Sequence, residues 1–267
     1  EFADALLDQC GEELSARLGK KYADAFPEAY KEDFAARTGV IDVRQLESLE
    51  EDGGVALNLY EPHAAAAGER RFKIYRRGGS ISLSTVLPVL QRMGIEVVDE
   101  RPYEIEALGS SMWVYDFGLR LDSGLAFELG SLKQRFQDAF LAAWSGAAEA
   151  DGFNALVVAA GLTWREAMVL RAYARYLRQT GSAFSQTYLE SCLVANVPIA
   201  RLLVQLFEAR FDPAYPGDRE TQSEFLRSEI ESALESVASL DNDRILRSFL
   251  ALIGATLRTN YFQTGAD

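Results

Sequence analysis

The sequence predicts an α+β fold, in which an antiparallel sheet module of the ferredoxin-like type precedes an all-helical, bundle-like domain. Two observations support this prediction. Between residues 71 and 117, apolar and polar residues alternate in short stretches that flank one segment with helical spacing. From residue 147 onward the alternation stops, and apolar residues recur every three or four positions. We therefore expect a sheet followed by packed helices.

The sheet module is organised around a strand–helix–strand–strand run. Residues 72–76 alternate like a half-buried strand, and Gly78-Gly79 ends that strand. Residues 82–93 carry apolar side chains three and four positions apart, which predicts an amphipathic helix. Residues 95–98 start the next strand, and residues 112–117 alternate as its neighbour. This order makes up most of a ferredoxin-like unit.

The segments on either side complete three predicted regions: a helical connector (1–50), an α+β domain (51–146) and a helical domain (147–267). In the connector, Asp42 is a candidate N-cap of a short helix. We expect the apolar face of the connector to pack on a partner outside the chain. Residues 55–60 alternate as a strand that pairs with residues 72–76 in a hairpin.

The helical domain shows a clear helix start at Thr163, where Glu166 three residues later completes a capping box. The helix predicted for 164–178 has an apolar side that consists of Met168, Val169, Ala172, Tyr176 and Leu177. Further helices are predicted at 185–194, 199–211, 221–237 and 241–261. Together these helices predict a bundle-like array.

The composition suits a folded protein with a sizeable core, because 48% of the 267 residues are hydrophobic. The formal net charge of −13 argues against a nucleic-acid surface. No apolar run approaches the ~18 residues of a membrane span, so no membrane partner is expected. The two cysteines, Cys10 and Cys192, lie far apart and suggest no disulfide framework, which makes the cytoplasm the expected location.

Candidate catalytic chemistry is sparse. No GxGxxG motif is present, and Gly78-Gly79 lacks the third glycine of a dinucleotide site, so no cofactor is expected in this chain. His63 is the only histidine, which leaves neither a catalytic triad nor a histidine-rich metal site. Carboxylates around Arg101 have two interpretations, a catalytic pair or ion pairing at a strand end. We predict no catalytic residue and no metal ligand.

Four motifs are long enough to carry a family resemblance. They read YRRGGSISLS at 75–84, LTWRE at 162–166, LRAYARYLRQ at 170–179 and LFEARFDP at 206–213. Together they resemble the very large bacterial NAD-specific glutamate dehydrogenases over roughly 55–262. The resemblance implies an ACT-like module and a helical region that lie before a catalytic domain. It also implies that NAD binds the parent enzyme, that the catalytic lysines lie beyond Asp267, and that this chain is an internal fragment.

In domains that resemble ACT, a glycine turn after the first core strand often borders an amino-acid effector site. The corresponding residues here are Arg76, Arg77, Gly78, Gly79 and Ser80. Backbone N–H groups at the start of the following helix would suit a carboxylate. The alternative is a plain β-to-α turn in which glycine supplies an unusual φ angle.

A second candidate surface is the row of Arg171, Arg175 and Arg178, which lie on one face of the predicted helix. One interpretation is an ionic contact with the catalytic domain or another subunit. The other is an ordinary solvated face that pairs with local glutamates.

The resulting hypothesis is a non-catalytic regulatory or scaffolding segment of a large NAD-dependent glutamate dehydrogenase. Its expected partners are the catalytic domain of the same polypeptide, further copies in a homo-oligomer and an amino-acid effector. The alternative is an independent amino-acid-binding ACT-like module. An autonomous enzyme is a third option, which the missing dinucleotide and nucleophile motifs oppose.

Overall fold

A computed structural model of the chain describes residues 1–49, 53–62, 65, 68–121 and 129–263. The chain divides into two compact units, each described by itself. The first consists of residues 1–91 and 95–137, and the second of residues 92–94 and 138–267.

The first unit contains a four-stranded antiparallel sheet in the order β1-β2-β4-β3. Its strands are β1 (Val55–Tyr60), β2 (Glu69–Arg77), β3 (Glu96–Ala107) and β4 (Ser110–Arg120). Its helices are α1 (Phe2–Cys10), α2 (Glu12–Tyr22), α3 (Glu28–Asp33), α4 (Ala36–Glu47), α5 (Leu83–Arg92) and the first part of α6 (Leu129–Trp144). The predicted hairpin is present, since β1 pairs with β2 from Val55 opposite Arg76 to Tyr60 opposite Arg71. The α+β fold class is confirmed.

The chain order around the sheet is ββαββα rather than the βαββαβ of a ferredoxin-like unit. β2, α5, β3, β4 and α6 follow the ferredoxin-like order as far as the second helix. β2 has β4 on one side and β1 on the other. β1 precedes β2 in the sequence, whereas in a ferredoxin-like unit this position is filled by a strand that follows the second helix. β1 and β3 are the two edges of the sheet.

Helices cover both faces of this sheet. On one face, Phe72 of β2 is buried and its ring meets that of Phe136 of α6 edge to face, with centroids 5.1 Å apart. On the other face, Tyr75, Tyr103 and Val114 share an apolar cluster with the N-terminal helices. The main helical members of that cluster are Leu6, Leu18, Tyr22, Tyr30, Val40, Val43 and Leu46. The apolar side predicted for the connector thus packs on the sheet of its own chain, contrary to the expected outside partner.

The prediction that Asp42 caps a helix is wrong. Helix α4 begins at Ala36, and Asp42 lies in its middle, buried against the sheet. The helix runs through Gly39, where a Cβ atom would lie only 3.3 Å from the ring of Phe2. A small residue here allows α1 and α4 to pack closely, which makes up for the low helix propensity of glycine.

All regular elements among the described residues of the second unit are helices. After the end of α6 it contains a 3₁₀ turn (Gly152–Asn154), α7 (Ala155–Ala159), α8 (Trp164–Gln179), α9 (Gln186–Ala195), α10 (Val197–Phe211), α11 (Arg219–Leu234) and α12 (Leu240–Ala255). The predicted capping box starts α8: Glu166 N donates to Thr163 Oγ1 at 3.2 Å, and Thr163 N donates to Glu166 Oε2 at 2.6 Å. A single apolar cluster joins the helices.

Helix α12 ends at Ala255, six residues before the predicted end at residue 261. Arg210 Nη2 donates to the carbonyl oxygens of Gly254 and Thr256, at 3.1 and 3.2 Å, and so satisfies carbonyls that the helix leaves unpaired. The chain then folds back, and the ring of Tyr261 packs edge to face on Phe207 with centroids 5.4 Å apart. Tertiary contacts therefore end the helix where the local sequence pattern would continue it.

Within the described residues, no single helix has the length and apolar character needed to cross a membrane. Only α9 and α10, bent by 100° where they meet, would satisfy that test as a pair.

Candidate functional sites

The predicted effector turn joins β2 to α5. Gly78 has a φ of +88° and its N–H donates to the carbonyl oxygen of Ser111 at 3.0 Å. Gly79 is exposed, and a Cβ atom there would meet nothing within 4 Å. The backbone therefore favours glycine at position 78 and tolerates a side chain at position 79.

The two arginines of this turn bind backbone carbonyls of the protein. Arg76 Nε donates to the carbonyl oxygen of Gly79 at 2.8 Å, which closes the turn over itself. Arg77 Nη1 donates to the carbonyl oxygen of Leu49 at 3.1 Å. Ser80 is exposed beside them. A carboxylate ligand would have to replace or share these hydrogen bonds, and the effector assignment stays a prediction.

The arginine row does not form one solvent-facing surface. Arg171 is buried, and its Nε and Nη2 donate to the two carboxylate oxygens of Asp151 at 2.7 and 2.8 Å. Asp151 also accepts the N–H of Phe153 and so caps the 3₁₀ turn. Arg171 therefore fastens α8 to that turn inside the helical unit.

The other two arginines of the row, Arg175 and Arg178, are exposed. Arg175 pairs with the exposed Glu149, as expected for a solvated face with local carboxylates. A contact between these two arginines and another domain stays a prediction.

A buried ion pair that the sequence analysis missed lies between α4 and the sheet. Lys73 and Asp42 are each 1% exposed, and Lys73 Nζ donates to Asp42 Oδ2 at 2.5 Å. Asp42 also accepts the hydroxyls of Tyr30 and Tyr75, at 2.5 and 2.7 Å. The ammonium of Lys73 lies 3.7 Å from the ring centre of Phe34. Every charge in this Lys73–Asp42 cluster has a partner, as a buried charge requires.

The ionisation of the cluster's tyrosines reflects this environment. Burial raises the pKa of Tyr30 and of Tyr75 well above the usual value, and the negative charge of Asp42 raises both further. Both phenols therefore stay protonated and act as donors to Asp42. This geometry suits a fixed structural contact rather than a proton-transfer site, because the donors and the acceptor are enclosed together.

A second buried carboxylate, Asp116 of β4, lies nearby on the same face. It accepts Arg71 Nε at 2.8 Å and the hydroxyl of Tyr60 at 3.1 and 3.2 Å. Burial raises the pKa of Asp116, against the opposing effect of the Arg71 and Lys73 charges.

The acidic stretch around Arg101 forms ion pairs, in line with the second of its two interpretations. Asp99 accepts Arg71 Nη2 at 2.9 Å, and Arg101 pairs with Asp33 of α3 at 2.8 Å. No group of three or more metal-ligating side chains occurs among the described residues. His63 lies outside those residues.

A carboxyl pair in the helical unit also escaped the sequence analysis. Glu208 of α10 is half-buried beside Glu166 of the α8 capping box. Burial, and then the neighbouring Glu166 and Asp212, raise the pKa of Glu208 to about 7. Glu208 therefore exchanges a proton near neutral pH, where a glutamate is ordinarily ionised. No sequence signal marked it, because Glu208 stands alone in an apolar helix.

An opening in the helical unit lies between α8 and residues 252–263, and we call it the α8 groove. Its volume is about 650 Å³. Met168, Ala172 and Tyr176, which the sequence analysis placed on the apolar side of α8, line this groove. Arg165, also on α8, reaches the opposite wall: its Nη2 donates to the carbonyl oxygen of Tyr261 at 3.2 Å, and its guanidinium lies 5.4 Å from the Tyr261 ring centre.

Family models match four consecutive stretches of the chain. They are glutamate dehydrogenase helical motif 2 at residues 5–49, the glutamate dehydrogenase ACT3 domain at 54–132, and glutamate dehydrogenase helical motif 3 at 148–213. The catalytic domain of bacterial NAD-glutamate dehydrogenase matches residues 229–267. The chain thus combines stretches that match an ACT domain and two helical motifs of glutamate dehydrogenases with a stretch that matches the catalytic domain.

Three relatives named NAD-specific glutamate dehydrogenase narrow the assignment. The protein from Halomonas elongata is 41% identical over 264 residues and that from Pseudomonas aeruginosa 38% over 267, each match covering 98% of this chain. The protein from Mycobacterium tuberculosis is 38% identical over 250 residues, or 91% of the chain. The chain belongs to the family of large NAD-specific glutamate dehydrogenases. It spans 15–16% of the length of these relatives.

Proposed function

We propose that this chain is a non-catalytic scaffolding or regulatory segment of a large NAD-dependent glutamate dehydrogenase. The parent would oxidise L-glutamate with NAD and water to 2-oxoglutarate, ammonia and NADH, in the cytoplasm. The observation that carries the proposal is the succession of helical motif 2, ACT3 and helical motif 3 along one chain, ahead of a short catalytic-domain match.

The interior chemistry supports a structural role. Each unit contains a buried ion pair, Lys73 with Asp42 and Arg171 with Asp151, and neighbouring side chains also bind both pairs. Such pairs hold helices on a sheet or on a turn, and the charged groups within them are not free to act as a nucleophile or a base. NAD and the catalytic residues of the parent belong, in this proposal, to other parts of the polypeptide.

The experiment is a comparison of NADH formation from glutamate and NAD by the purified chain and by the full-length parent. We expect activity from the parent and none from the chain. NADH formation by the purified chain above that of a mock preparation would contradict the proposal. An inactive parent would contradict the assigned reaction.

The regulatory part of the proposal assigns an amino-acid effector to the Gly78 turn, and the ACT3 match at 54–132 is the observation that favours it. Calorimetric titration of the parent with a panel of amino acids tests this part. Millimolar affinity already requires about 4 kcal/mol, so a real site needs more than one exposed helix terminus. If no amino acid binds at millimolar concentration, the turn has only a structural role.

A further inference from the structure

Helix α8 carries two apolar faces. Val169, Leu170 and Ala174 are buried in the core of the helical unit. Met168, Ala172 and Tyr176 turn instead toward the α8 groove, and Tyr176 is 52% exposed there. A helix that is apolar on two sides is normally covered on both, because an uncovered apolar face costs free energy in water. We therefore expect another segment to cover the second apolar face of α8.

The groove joins two segments that the family models treat separately. One wall is α8, which lies within the match to helical motif 3, and the other is formed by residues 252–263, within the match to the catalytic domain. Arg165 links the walls by its hydrogen bond to the Tyr261 carbonyl. The stretch that matches the catalytic domain is thus already seated on helical motif 3 at this groove.

The charged residues that line the groove indicate which kind of segment can bind there. The described residues that line it include Arg165 and Arg258 but no carboxylate. This contrasts with the whole chain, which has 40 acidic residues and a net charge of −13. Apolar walls with cationic residues and no acidic ones complement an apolar segment that bears carboxylates at its edge.

We propose that the α8 groove is the docking site of an apolar, carboxylate-flanked segment of the catalytic domain in the same polypeptide. This proposal rests on the proposed function, because it assumes that the catalytic domain and this chain are joined. Two physical reasons favour a tethered occupant over a second copy. The groove offers fifteen described lining residues, whereas a stable interface between free proteins uses about 20–30 residues a side. A tethered segment binds at high effective concentration and needs a smaller contact.

Site-specific photo-crosslinking in the full-length parent tests the proposal. The variant Tyr176→p-benzoylphenylalanine places a photoreactive group in the groove. The matched control places the same group at Gln179, which is exposed on α8 but does not line the groove. After irradiation, we expect the Tyr176 variant to form a crosslink within one polypeptide to an apolar catalytic-domain peptide that has neighbouring Asp or Glu residues and lies outside residues 229–267, which include the groove's own wall. We expect the Gln179 variant not to form it.

A charge reversal at Arg258 provides a second test of the docking site. Arg258 is exposed, so Arg258→Glu is expected to leave the fold intact. In the Tyr176-labelled parent it should lower the yield of that crosslink several-fold, whereas Arg258→Lys should retain it. The yield should also fall as salt is added, because exposed charges are screened.

Three outcomes would overturn the proposal. They are a crosslink between two isotopically distinguishable copies, a crosslink yield at Tyr176 no higher than at Gln179, and an Arg258→Glu yield equal to that of Arg258→Lys. The crosslink is read by mass and does not depend on enzyme activity. A parent that crosslinks as expected but does not oxidise glutamate would refute the proposed function while supporting an intramolecular docking site.

Discussion

At the scale of single residues, Lys73 shows that a polar position in an alternating strand need not face water. It occupies a polar position of β2, yet it is 1% exposed because helix α4 covers that face of the sheet. A lysine at such a position requires a carboxylate, and Asp42 provides it. The pairing partner lies 31 residues away in the sequence, so no local pattern could reveal it.

Replacement of this lysine by methionine, Lys73→Met, should destabilise the first unit strongly. It leaves the buried Asp42 carboxylate without its counter-ion, and loss of one partner of a buried pair costs about 3 kcal/mol or more. The measurement is urea unfolding of the purified chain, followed by near-ultraviolet circular dichroism. The matched control, Arg175→Met, removes a partner of an exposed pair and should change stability little. Equal stabilities of the two variants would refute the structural role of the Lys73–Asp42 cluster.

Glu208 should make the stability of the helical unit depend on pH. Its pKa is raised from the ordinary value of 4.5 to about 7, so the unfolded chain releases this proton at lower pH than the folded chain does. Folding stability should therefore fall as pH rises from about 4.5 to about 7 and change no further above that window on account of this group. Glu166, Asp212 and Tyr261 are ionisable groups that interact with it.

Thermal unfolding of wild type and Glu208→Gln across this pH range provides the measurement. The variant should lose the part of the pH dependence that Glu208 contributes. Its melting temperature should therefore rise relative to that of the wild type as the pH increases toward 7. Glu224→Gln, at an exposed position of α11, is the control and should follow the wild type. Parallel curves for Glu208→Gln and wild type would show that Glu208 titrates normally.

At the scale of elements, a local signal located the start of α8, whereas the helix start predicted at Asp42 was wrong. The capping box of Thr163 and Glu166 appears in the structure as predicted, because both of its hydrogen bonds lie within four consecutive residues. The end of α12 was predicted six residues too late, because it depends on Arg210 from another helix. Starts that are set locally can be read from sequence, whereas ends that are set by tertiary contacts cannot.

The apolar side of α8 shows a related limit. Its periodicity identified Val169 and Leu177, which are buried, but also Ala172 and Tyr176, which line the α8 groove. It missed Arg171, which is buried through its ion pair with Asp151. Periodicity reports which side chains are apolar, and the packed neighbours decide which of them lose contact with water.

For the turn between β2 and α5, we predict different effects of alanine at its two glycine positions. Gly78→Ala should destabilise the first unit by about 1–2 kcal/mol, because its φ of +88° is unfavourable for a residue with a Cβ atom. Gly79→Ala should have little effect, since that Cβ would meet no neighbour within 4 Å. Chemical denaturation measures both differences, and equal losses in the two variants would contradict the conformational explanation.

The same turn separates the structural and effector interpretations. If an amino acid binds there, the bulkier Gly79→Val should abolish binding in the titration while the fold stays intact. Unchanged binding in Gly79→Val would place the effector elsewhere. A side chain at position 79 can block a ligand without straining the backbone, because position 79 is exposed and the positive φ angle belongs to Gly78.

At the scale of the whole molecule, the first unit unites segments that the sequence analysis separated. The N-terminal helices and the sheet share one core cluster, so the predicted connector and the predicted sheet module form a single compact unit. The described strands all lie between Val55 and Arg120, and the described remainder of the chain after α6 is helical. The division into units falls within α6, at residues 137 and 138.

The sequence by itself determined the fold class, the order of the strands, the β1–β2 hairpin and the family. These depend on short-range periodicity, turn residues and contiguous motifs, which a single chain displays directly. Only the tertiary structure decided that both sheet faces are covered, that Lys73 and Arg171 are buried, and that Glu208 holds its proton to about pH 7. The reason is physical: burial and charge pairing depend on residues that are distant in the sequence and meet only after the chain has folded.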